Sequence, residues 1–183
     1  MDAQMIPDLY LMRHGETLWN RERRMQGRLD SPLTDLGRRQ AAQQAALFAG
    51  LTADRISSPQ GRAQDTARIV FNAPFRTDPR LMEIDVGIAA GQRADDLRRD
   101  HPDLFTGGWL DWYDRVPGGE HFSGLRARVA DFLADLTAPA MIVTHGVTLR
   151  MIWHLTTGEP LDQPRVIQGA LHVIRGGRSE TWR

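Results

Sequence analysis

Residues 8–15 read Asp-Leu-Tyr-Leu-Met-Arg-His-Gly, an apolar run that ends in an arginine, a histidine and a glycine. Short apolar runs bounded by a turn residue are typical of buried β-strands. We therefore predict a strand over residues 8–13, with His14 and Gly15 opening the turn that follows. Arg13 and His14 then stand at the carboxyl end of that strand, where their side chains are available for chemistry.

Two more short strands are predicted farther along the chain, and each is followed by a helix. The strands cover residues 55–58 and 140–144, and the helices that follow them cover residues 60–71 and 147–155. A further amphipathic helix is predicted over residues 122–136. Strands that alternate with helices favour a mostly parallel sheet covered by helices on both faces, which is an α/β fold.

Two other elements complete the predicted architecture. Thr34 is a suitable N-cap for a helix, and Ala41, Ala45 and Phe48 follow it at the spacing of one buried helical face. A terminal β-hairpin is predicted over residues 171–182, because two strand-like runs flank a Gly-Gly turn there.

The chain has 183 residues, which is the usual size of one domain. It contains no internal repeat and no linker-like stretch. The Gly-, Pro- and Trp-rich segment 106–119 is interpreted as a loop within the domain, since periodic elements flank it on both sides. We therefore predict a single domain over residues 1–183, and a homodimer is left open.

Composition excludes several classes of function. The 23 basic residues balance 23 acidic ones, so no net field favours nucleic acid or a membrane surface as a partner. All the basic residues are arginine, which excludes a Walker-type phosphate loop, and the lack of cysteine excludes a thiolate nucleophile. No signal sequence or membrane-spanning run is recognised, so we expect a cytoplasmic protein.

Three predicted strand ends carry polar groups: Arg13-His14, Ser57-Ser58 and Thr144-His145. In parallel α/β sheets, ligands bind outside the carboxyl ends of the strands. These groups are therefore expected to meet, together with Arg62 near the start of the helix after the second strand.

The residues expected to meet match the needs of phosphoryl transfer, which are a nucleophile, cations for the phosphoryl oxygens and an acid for the leaving group. His14 is the candidate nucleophile, and Arg13 and Arg62 are the candidate cations. We expect the helix that carries Arg62 to add backbone N–H donors to the same pocket. His145 is expected to donate a hydrogen bond as an imidazolium, and Glu83 is the candidate general acid.

The sequence resembles the histidine phosphatase superfamily, the phosphoglycerate mutase-like proteins. The resemblance begins with the run from Leu11 to Thr17 and continues in the family's order through most of the chain. Its further parts are Trp19-Asn20, Gln26-Gly27, Pro32-Leu33-Thr34 with Gly37 and Gln40, Ser57-Ser58-Pro59 with Arg62-Ala63 and Thr66-Ala67, Pro117-Gly118-Gly119-Glu120, and Val143-Thr144-His145-Gly146.

The resemblance implies a Rossmann-like α/β/α sandwich in which His14 becomes phosphorylated. It implies that Arg13, Arg62 and His145 form the phosphate pocket and that Glu83 donates the proton. The further substrate-binding residues that it implies are Asn20, Gln26, Gly27 and Gly146. The expected substrate is a small phosphorylated metabolite, and no metal and no cofactor is expected, because arginine and histidine neutralise the phosphoryl charge.

The chain departs from the family's pattern in two places. Residues 87–91 read Gly-Ile-Ala-Ala-Gly, whereas family members commonly place an aromatic and an acidic residue between these glycines. His121 stands where many members have serine. The departures leave the substrate open and put the efficiency of leaving-group protonation in question.

Four functions are compatible with these residues. Hydrolysis of a small phosphomonoester through phosphohistidine is favoured, because mutases of this family tend to be longer. The alternatives are a phosphoglycerate-type mutase, a noncatalytic binder of a phosphate ligand, and a metallohydrolase that uses His14 and His145 as ligands. No closely spaced pair of histidines supports the last of these.

Overall fold

The computed structural model describes residues 6–163 and 165–183, so residues 1–5 and 164 of the predicted domain lie outside the described part. One six-stranded sheet has the order β3-β2-β4-β1-β5-β6. Its strands are β1 (Leu9–Arg13), β2 (Asp54–Ser57), β3 (Arg76–Thr77), β4 (Ala140–Thr144), β5 (Leu171–Arg175) and β6 (Arg178–Trp182). The pairings β1–β4, β4–β2 and β2–β3 are parallel, and β5 and β6 join as an antiparallel hairpin. The predicted α/β class and the mostly parallel sheet are therefore confirmed.

Helices connect the strands. They are α1 (Leu18–Arg21), α2 (Asp35–Leu47), α3 (Gly61–Phe71), α4 (Ala94–Asp100), α5 (His121–Ala134) and α6 (Gly146–Thr157). The predicted helices appear within about two residues of their expected bounds. The elements α1, α4 and β3 were not predicted, because each is too short to display a clear hydrophobic period. No helix in the described residues is both long and apolar enough to cross a membrane.

The central strand β1 is buried on both faces, and its alternating side chains divide the core into two layers. Leu9 and Leu11 pack in one cluster with side chains of α5 and α6. Tyr10 and Met12 pack in the other cluster with side chains of α2 and α3. Successive side chains of a strand point to opposite faces of its sheet, so this pattern requires a helical layer on each side. The predicted sandwich is therefore confirmed.

Helix α2 begins after the predicted N-cap Thr34, whose hydroxyl accepts a hydrogen bond from a backbone N–H of the first turn. The predicted buried stripe is wrong in part. Ala41 is fully buried, but Ala45 and Phe48 are only half-buried, and the polar Gln44 is buried instead. The Gln44 amide donates to the main-chain carbonyls of Arg13 and Ala170, each at 3.0 Å. These bonds hold Gln44 inside the fold together with Ala41, while Phe48 packs partly buried against the same core cluster.

Segment 106–119 is the predicted loop, with one short 3-10 turn at Asp111–Asp114. Trp112 is buried in the core, whereas Trp109 is 56% exposed. The two tryptophans therefore have different roles, although they are three positions apart.

The turn after β1 is held against α2 by two glycines. A methyl group at Gly15 would lie 2.2 Å from the carbonyl oxygen of Gly37, and one at Gly37 would lie 2.1 Å from the carbonyl oxygen of Glu16. Real side chains do not approach backbone this closely, so both positions require glycine. The main chains also exchange a hydrogen bond here, from the Thr34 N–H to the Glu16 carbonyl at 2.9 Å.

We predict that Gly37→Ala lowers the free energy of unfolding by about 2 kcal/mol, because its methyl group meets backbone that cannot move aside. Alanine also stabilises a helix by up to about 1 kcal/mol relative to glycine, and we expect the steric cost to outweigh this gain. Urea unfolding measures the difference. Gly108→Ala is the matched control, because its methyl group meets only the side chain of Asp111. A Gly37→Ala variant as stable as wild type would contradict the backbone contact.

Candidate active site

The carboxyl ends of β1, β2 and β4 meet at one edge of the sheet. The His14 N–H donates to the Thr144 carbonyl and the Ser58 N–H donates to the Val143 carbonyl, each at 2.9 Å. This register places the His14 ring beside the His145 ring, with centroids 5.2 Å apart. The sheet edge therefore brings together the side chains that the sequence predicts to meet.

His14 is buried, and its hydrogen bonds define its tautomer. Its Nδ1 lies 2.8 Å from the carbonyl oxygen of Gly15, which can only accept, so Nδ1 carries the proton. Its Nε2 lies 3.3 Å from Nε of Arg62, which can only donate, so Nε2 presents a lone pair. Burial, and then the charges of Arg62 and Arg13, hold the pKa of His14 well below the ordinary 6.5. The neutral imidazole is thus a nucleophile at physiological pH.

Arg62 is 1% exposed and is fixed from several directions. Its Nη1 donates to the Leu29 carbonyl at 2.7 Å and to the Asp30 carboxylate at 3.0 Å, and its Nη2 donates to the Gly27 carbonyl at 3.0 Å. A planar guanidinium held on three sides has a single orientation. One Nη2 hydrogen has no acceptor among the described residues, and it remains available to a ligand.

The start of α3 differs from the expectation that its backbone N–H groups face the pocket. The Arg62 N–H donates instead to the Asp30 carboxylate, at 3.2 and 3.3 Å from its two oxygens. Asp30 therefore caps α3 through the Arg62 N–H and also forms an ion pair with the Arg62 guanidinium. The predicted role of this helix terminus as a phosphate-binding site is wrong, because a carboxylate already occupies it.

Arg13 is a cation of a different kind. No side-chain hydrogen bond or ion pair holds its guanidinium in the described residues, and its Nε is buried without a partner there. Burial lowers the pKa of Arg13, while the negative charge of Glu83 opposes that effect. Arginine stays charged in proteins, so Arg13 is a half-buried cation available for an anion.

His145 is fully buried next to His14. Its Nε2 lies 2.7 Å from the Ser58 hydroxyl, which already accepts from the Gln60 N–H and so can donate its hydrogen to the ring. The proton of His145 then lies on Nδ1, which has no partner among the described residues. Burial, and then the charges of Arg62 and the neighbouring His14 and Arg13, hold the pKa of His145 well below 6.5. The expectation of an imidazolium is wrong: this ring is a neutral donor.

Glu83 caps the N-terminus of α6. Its Oε1 accepts from the backbone N–H groups of Ile84 and Thr148, at 3.0 and 3.1 Å. The Thr148 hydroxyl, which donates to the Met82 carbonyl at 2.7 Å, also lies 3.1 Å from Oε1. Glu83 Oε2 accepts only from the Val147 N–H, at 3.1 Å, so one lone pair of Oε2 remains free. A methyl group at Gly146 would lie 3.8 Å from this Oε2 and 3.6 Å from Nε of Arg13, so both groups border the same space.

A cavity of about 140 Å³ opens at this sheet edge. The predicted residues that line it are Arg13, His14, Asn20, Gln26, Gly27, Arg62 and Glu83. His145 and Gly146 were also predicted as substrate-binding residues; they are not among the lining residues, although the His145 ring lies beside that of His14. The lining residues that sequence reasoning missed are Arg24, Met25, Ile84, Val86 and Tyr113. Arg24 belongs to an arginine run near the first motif, and Tyr113 belongs to the Trp-rich loop, so each had a weak signal.

Asn20 and Gln26 present amides to the cavity in different ways. The Asn20 side-chain oxygen accepts from the Thr17 N–H at 3.1 Å and from the Gln168 amide at 3.2 Å. Asn20 is therefore fixed, and its amide nitrogen is free of protein partners in the described residues. The Gln26 side-chain oxygen is buried without a partner there.

The divergent segment 87–91 lies beside the cavity rather than in it. Ile88 is 45% exposed and Ala89 is buried in the core. The Gly91 N–H donates to the Met25 carbonyl at 2.7 Å, so the segment supports the cavity wall from behind. His121 is exposed, with its Nδ1 3.0 Å from the Asp114 carbonyl, and it does not line the cavity.

The described residues contain no cluster of carboxylates and imidazoles that could coordinate a metal ion. Across residues 6–163 and 165–183, no cluster of three or more histidine, aspartate or glutamate side chains is arranged to hold an ion.

The sequence of this chain is similar to a known protein family. The sequence profile of the histidine phosphatase superfamily (branch 1) matches residues 9–176. The chain is 40% identical over 165 residues to the protein named "Probable phosphoglycerate mutase GpmB" of Enterobacter sp. (strain 638), covering 83% of this chain and 75% of that protein. The protein of the same name from Yersinia pestis (strain Pestoides F) is 36% identical over 169 residues, which cover 86% of this chain and 78% of the relative.

Solved structures share the fold at similar coverage. Bacillus stearothermophilus YhfR is 32% identical, with a TM-score of 0.82 over 95% of this chain and 94% of that one. The alpha-ribazole phosphatase from Shigella flexneri is 28% identical, with a TM-score of 0.80 over 94% of this chain and 93% of that one. Since the profile, the relatives and the fold all agree, the chain belongs to the histidine phosphatase superfamily.

Proposed function

We propose that this protein hydrolyses a small phosphomonoester through a phosphohistidine on His14, with Glu83 as general acid. The observation that carries the proposal is the neutral His14 imidazole, whose Nε2 lone pair lies in a cavity beside two guanidinium groups and a carboxylate. A nucleophile, cations and an acid in one cavity are the parts that phosphoryl transfer needs.

In the first step, the Arg62 Nε–H shifts from His14 Nε2 to a phosphoryl oxygen, the freed Nε2 lone pair attacks phosphorus, and the ester P–O bond breaks. The departing alcohol oxygen takes its proton from Glu83 Oε2, the oxygen with a free lone pair. The imidazole becomes a cationic phosphoramidate, and the hydrogen bond from its Nδ1 to the Gly15 carbonyl stabilises that charge.

In the second step, water attacks phosphorus and gives a proton to the Glu83 carboxylate. The P–N bond breaks, its electron pair returns to His14 Nε2, and inorganic phosphate leaves. The acid of the first step is the base of the second, so one carboxyl group serves both and ends protonated, as it began.

Three groups are available to bind the phosphoryl oxygens: the unpaired Arg13 guanidinium, the remaining Nη2 hydrogen of Arg62 and the Nδ1–H of His145. Arg13 Nε and His145 Nδ1 are buried donors without partners in the described residues. A buried donor left unsatisfied costs about 1–3 kcal/mol, which an anion would recover on binding. These cations and the two histidines are our reason for proposing a reaction that needs no metal.

A mutase is the second candidate, because the curated relatives carry the name phosphoglycerate mutase. It would use the same first step and return the phosphoryl group to a second hydroxyl. We favour hydrolysis because the alpha-ribazole phosphatase from Shigella flexneri matches nearly the whole length of this chain. Transfer of the phosphoryl group to added alcohols, rather than to water, would favour the mutase instead.

The central test is hydrolysis of p-nitrophenyl phosphate in excess EDTA. We expect activity to survive the chelator and His14→Ala to abolish it, with an acid-labile phosphoenzyme trapped in wild type only. His101→Ala is the matched control, since that histidine is exposed and does not line the cavity. Loss of activity with EDTA would overturn the metal-free route, and full activity of His14→Ala would overturn the nucleophile.

We predict that Glu83→Gln slows alcohol release from an alkyl phosphate by about 10²–10⁴-fold, because an alkoxide leaves poorly without an acid. Release of p-nitrophenolate, which needs no proton, should slow by less than about tenfold. Single-turnover measurements separate this step from the hydrolysis of the phosphoenzyme. Asp85→Asn is the control, since Asp85 is a nearby carboxylate outside the cavity lining. Equal losses for both leaving groups would contradict the general-acid role.

The pH dependence follows from the neutral state of His14. For an imidazole with the ordinary pKa of 6.5, the fraction in the neutral, nucleophilic form falls about 25-fold between pH 7 and pH 5. The pKa of His14 is lowered by burial and by Arg62 and Arg13, so the nucleophile stays deprotonated over that range. We therefore expect kcat/KM, corrected for ionisation of the substrate, not to fall from pH 7 to pH 5. A fall with a midpoint near 6.5 would contradict a buried neutral nucleophile.

A further inference from the structure

A side chain from a distant part of the chain contacts the turn after β1. Gln168 lies in the loop between α6 and β5. Its amide nitrogen donates two hydrogen bonds, to the His14 carbonyl at 3.1 Å and to the Asn20 side-chain oxygen at 3.2 Å. Gln168 is half-buried and does not line the cavity at the sheet edge. It therefore contacts the backbone of the proposed nucleophile and a lining residue without facing the ligand space itself.

The two carbonyls at the end of β1 accept hydrogen bonds from glutamine side chains. On this side of the sheet, β1 pairs with β5 only as far as Leu11. Beyond that residue, the Gln44 amide donates to the Arg13 carbonyl and the Gln168 amide donates to the His14 carbonyl. The backbone of the proposed nucleophile thus depends on side-chain donors at the point where the strand pairing has ended.

The peptide group between His14 and Gly15 is held at both of its polar atoms. Its carbonyl oxygen accepts from Gln168, and its N–H donates to the Thr66 hydroxyl at 3.1 Å. The next carbonyl, that of Gly15, lies 2.8 Å from His14 Nδ1 and determines which ring nitrogen carries the proton. A fixed peptide plane therefore helps to fix the imidazole, because the acceptor for Nδ1 directly follows that plane.

Asn20 takes its orientation from the same amide. Its side-chain oxygen accepts from the Thr17 N–H and from Gln168, and both of these nitrogens can only donate. The Asn20 amide nitrogen must then point away from both, and Asn20 is a lining residue of the cavity. Its N–H groups are therefore directed to where a phosphoryl oxygen can accept them.

Gln168 is supported by the residues around it. The preceding residue, Ile167, donates its N–H to Nε2 of the buried His172 at 3.3 Å, and His172 Nδ1 lies 3.0 Å from the Thr181 hydroxyl. Burial lowers the pKa of His172 to about 4, so this ring is neutral at physiological pH and its Nε2 accepts. The loop therefore presents the Gln168 amide in a defined position.

We propose that Gln168 is a positioning residue for phosphoryl transfer, and that its amide orients the His14 nucleophile and the Asn20 donor together. This inference rests on the proposed phosphatase function and adds to it a residue outside the cavity. Without the two N–H donors of Gln168, the His14 carbonyl loses its partner and Asn20 is held only through the Thr17 N–H.

The main test replaces Gln168 by methionine, which has a similar length and no N–H donor. We expect Gln168→Met to lower kcat/KM for p-nitrophenyl phosphate by about 10- to 100-fold, because small misplacements of reacting groups cost rates of this order. Gln163→Met is the matched control, since that exposed glutamine lies in the same loop. If wild type is active and Gln168→Met is as active as Gln163→Met, the inference is overturned and the phosphatase function stands.

Gln168→Glu provides a readout that a merely structural role would not move. An ionised carboxylate cannot donate, whereas a protonated carboxyl group has one O–H donor, and burial beside two acceptors raises its pKa. We therefore expect the loss in kcat/KM relative to wild type to shrink from pH 7 to pH 5 for Gln168→Glu, and to stay constant for Gln168→Met. The same pH dependence in both variants would contradict a role for the donors.

A double-mutant cycle with Asn20→Ala tests the link between the two amides. Because Gln168 acts partly through Asn20, we expect the double variant to lose less kcat/KM than the product of the single losses, by about threefold or more. Losses that multiply would show that Gln168 does not act through Asn20, and would overturn the inference.

A binding measurement covers the case in which wild type does not hydrolyse p-nitrophenyl phosphate, which would be a failure of the proposed function itself. Calorimetry with inorganic phosphate needs no turnover. We expect Gln168→Met to bind phosphate about tenfold less tightly than Gln163→Met, as for the loss of one hydrogen bond to a charged group. Equal affinities would overturn the positioning role, whatever the catalytic result.

Discussion

The hydrogen bond from Arg62 Nε to His14 Nε2 is the contact on which the site depends. A buried guanidinium is costly unless it is paired, and Arg62 is paired with Asp30 and with the carbonyls of Gly27 and Leu29. Those partners fix its direction, so its remaining Nε–H reaches the imidazole. Burial, and then the charges of Arg62 and Arg13, keep His14 neutral, and the Nε2 lone pair accepts the Arg62 Nε–H. Arg62 thus helps to set both the charge and the orientation of the proposed nucleophile.

Arg62 and Arg13 differ in how far their guanidinium groups are already paired within the protein. Arg62 is held by the protein, whereas Arg13 has no side-chain partner in the described residues. A fully paired site would bind anions poorly, and a fully unpaired one would destabilise the fold. Glu83 is shared in a similar way, because most of its lone pairs cap α6 and one is left for the proton transfer that we propose. Stability and chemistry therefore share the same side chains.

Much of this arrangement was predictable from sequence, because strand ends of a parallel sheet meet and motif residues stand at those ends. The strands that carry His14 and His145, and the helices after them, follow from clear hydrophobic periods. What the sequence does not reveal are contacts made by main-chain carbonyls or by polar residues of ordinary appearance. Asp30 accepts from the first turn of α3, Gln44 donates to two main-chain carbonyls, and Tyr113 lines the cavity at the sheet edge. Asp30 and Gln44 lie in no pattern that distinguishes them from surface residues, and Tyr113 has only the weak signal of the Trp-rich loop.

The contact between Gly15 and Gly37 has a consequence for engineering this scaffold. Each glycine faces main-chain atoms, so a larger residue at one position cannot be compensated by a smaller residue at the other. Libraries that randomise the turn after β1 should therefore consist mainly of destabilised members. By contrast, loop 106–109 ends at an exposed tryptophan and borders a cavity rather than backbone. Substitutions there change the lining of that cavity and leave the backbone contacts around His14 as they are.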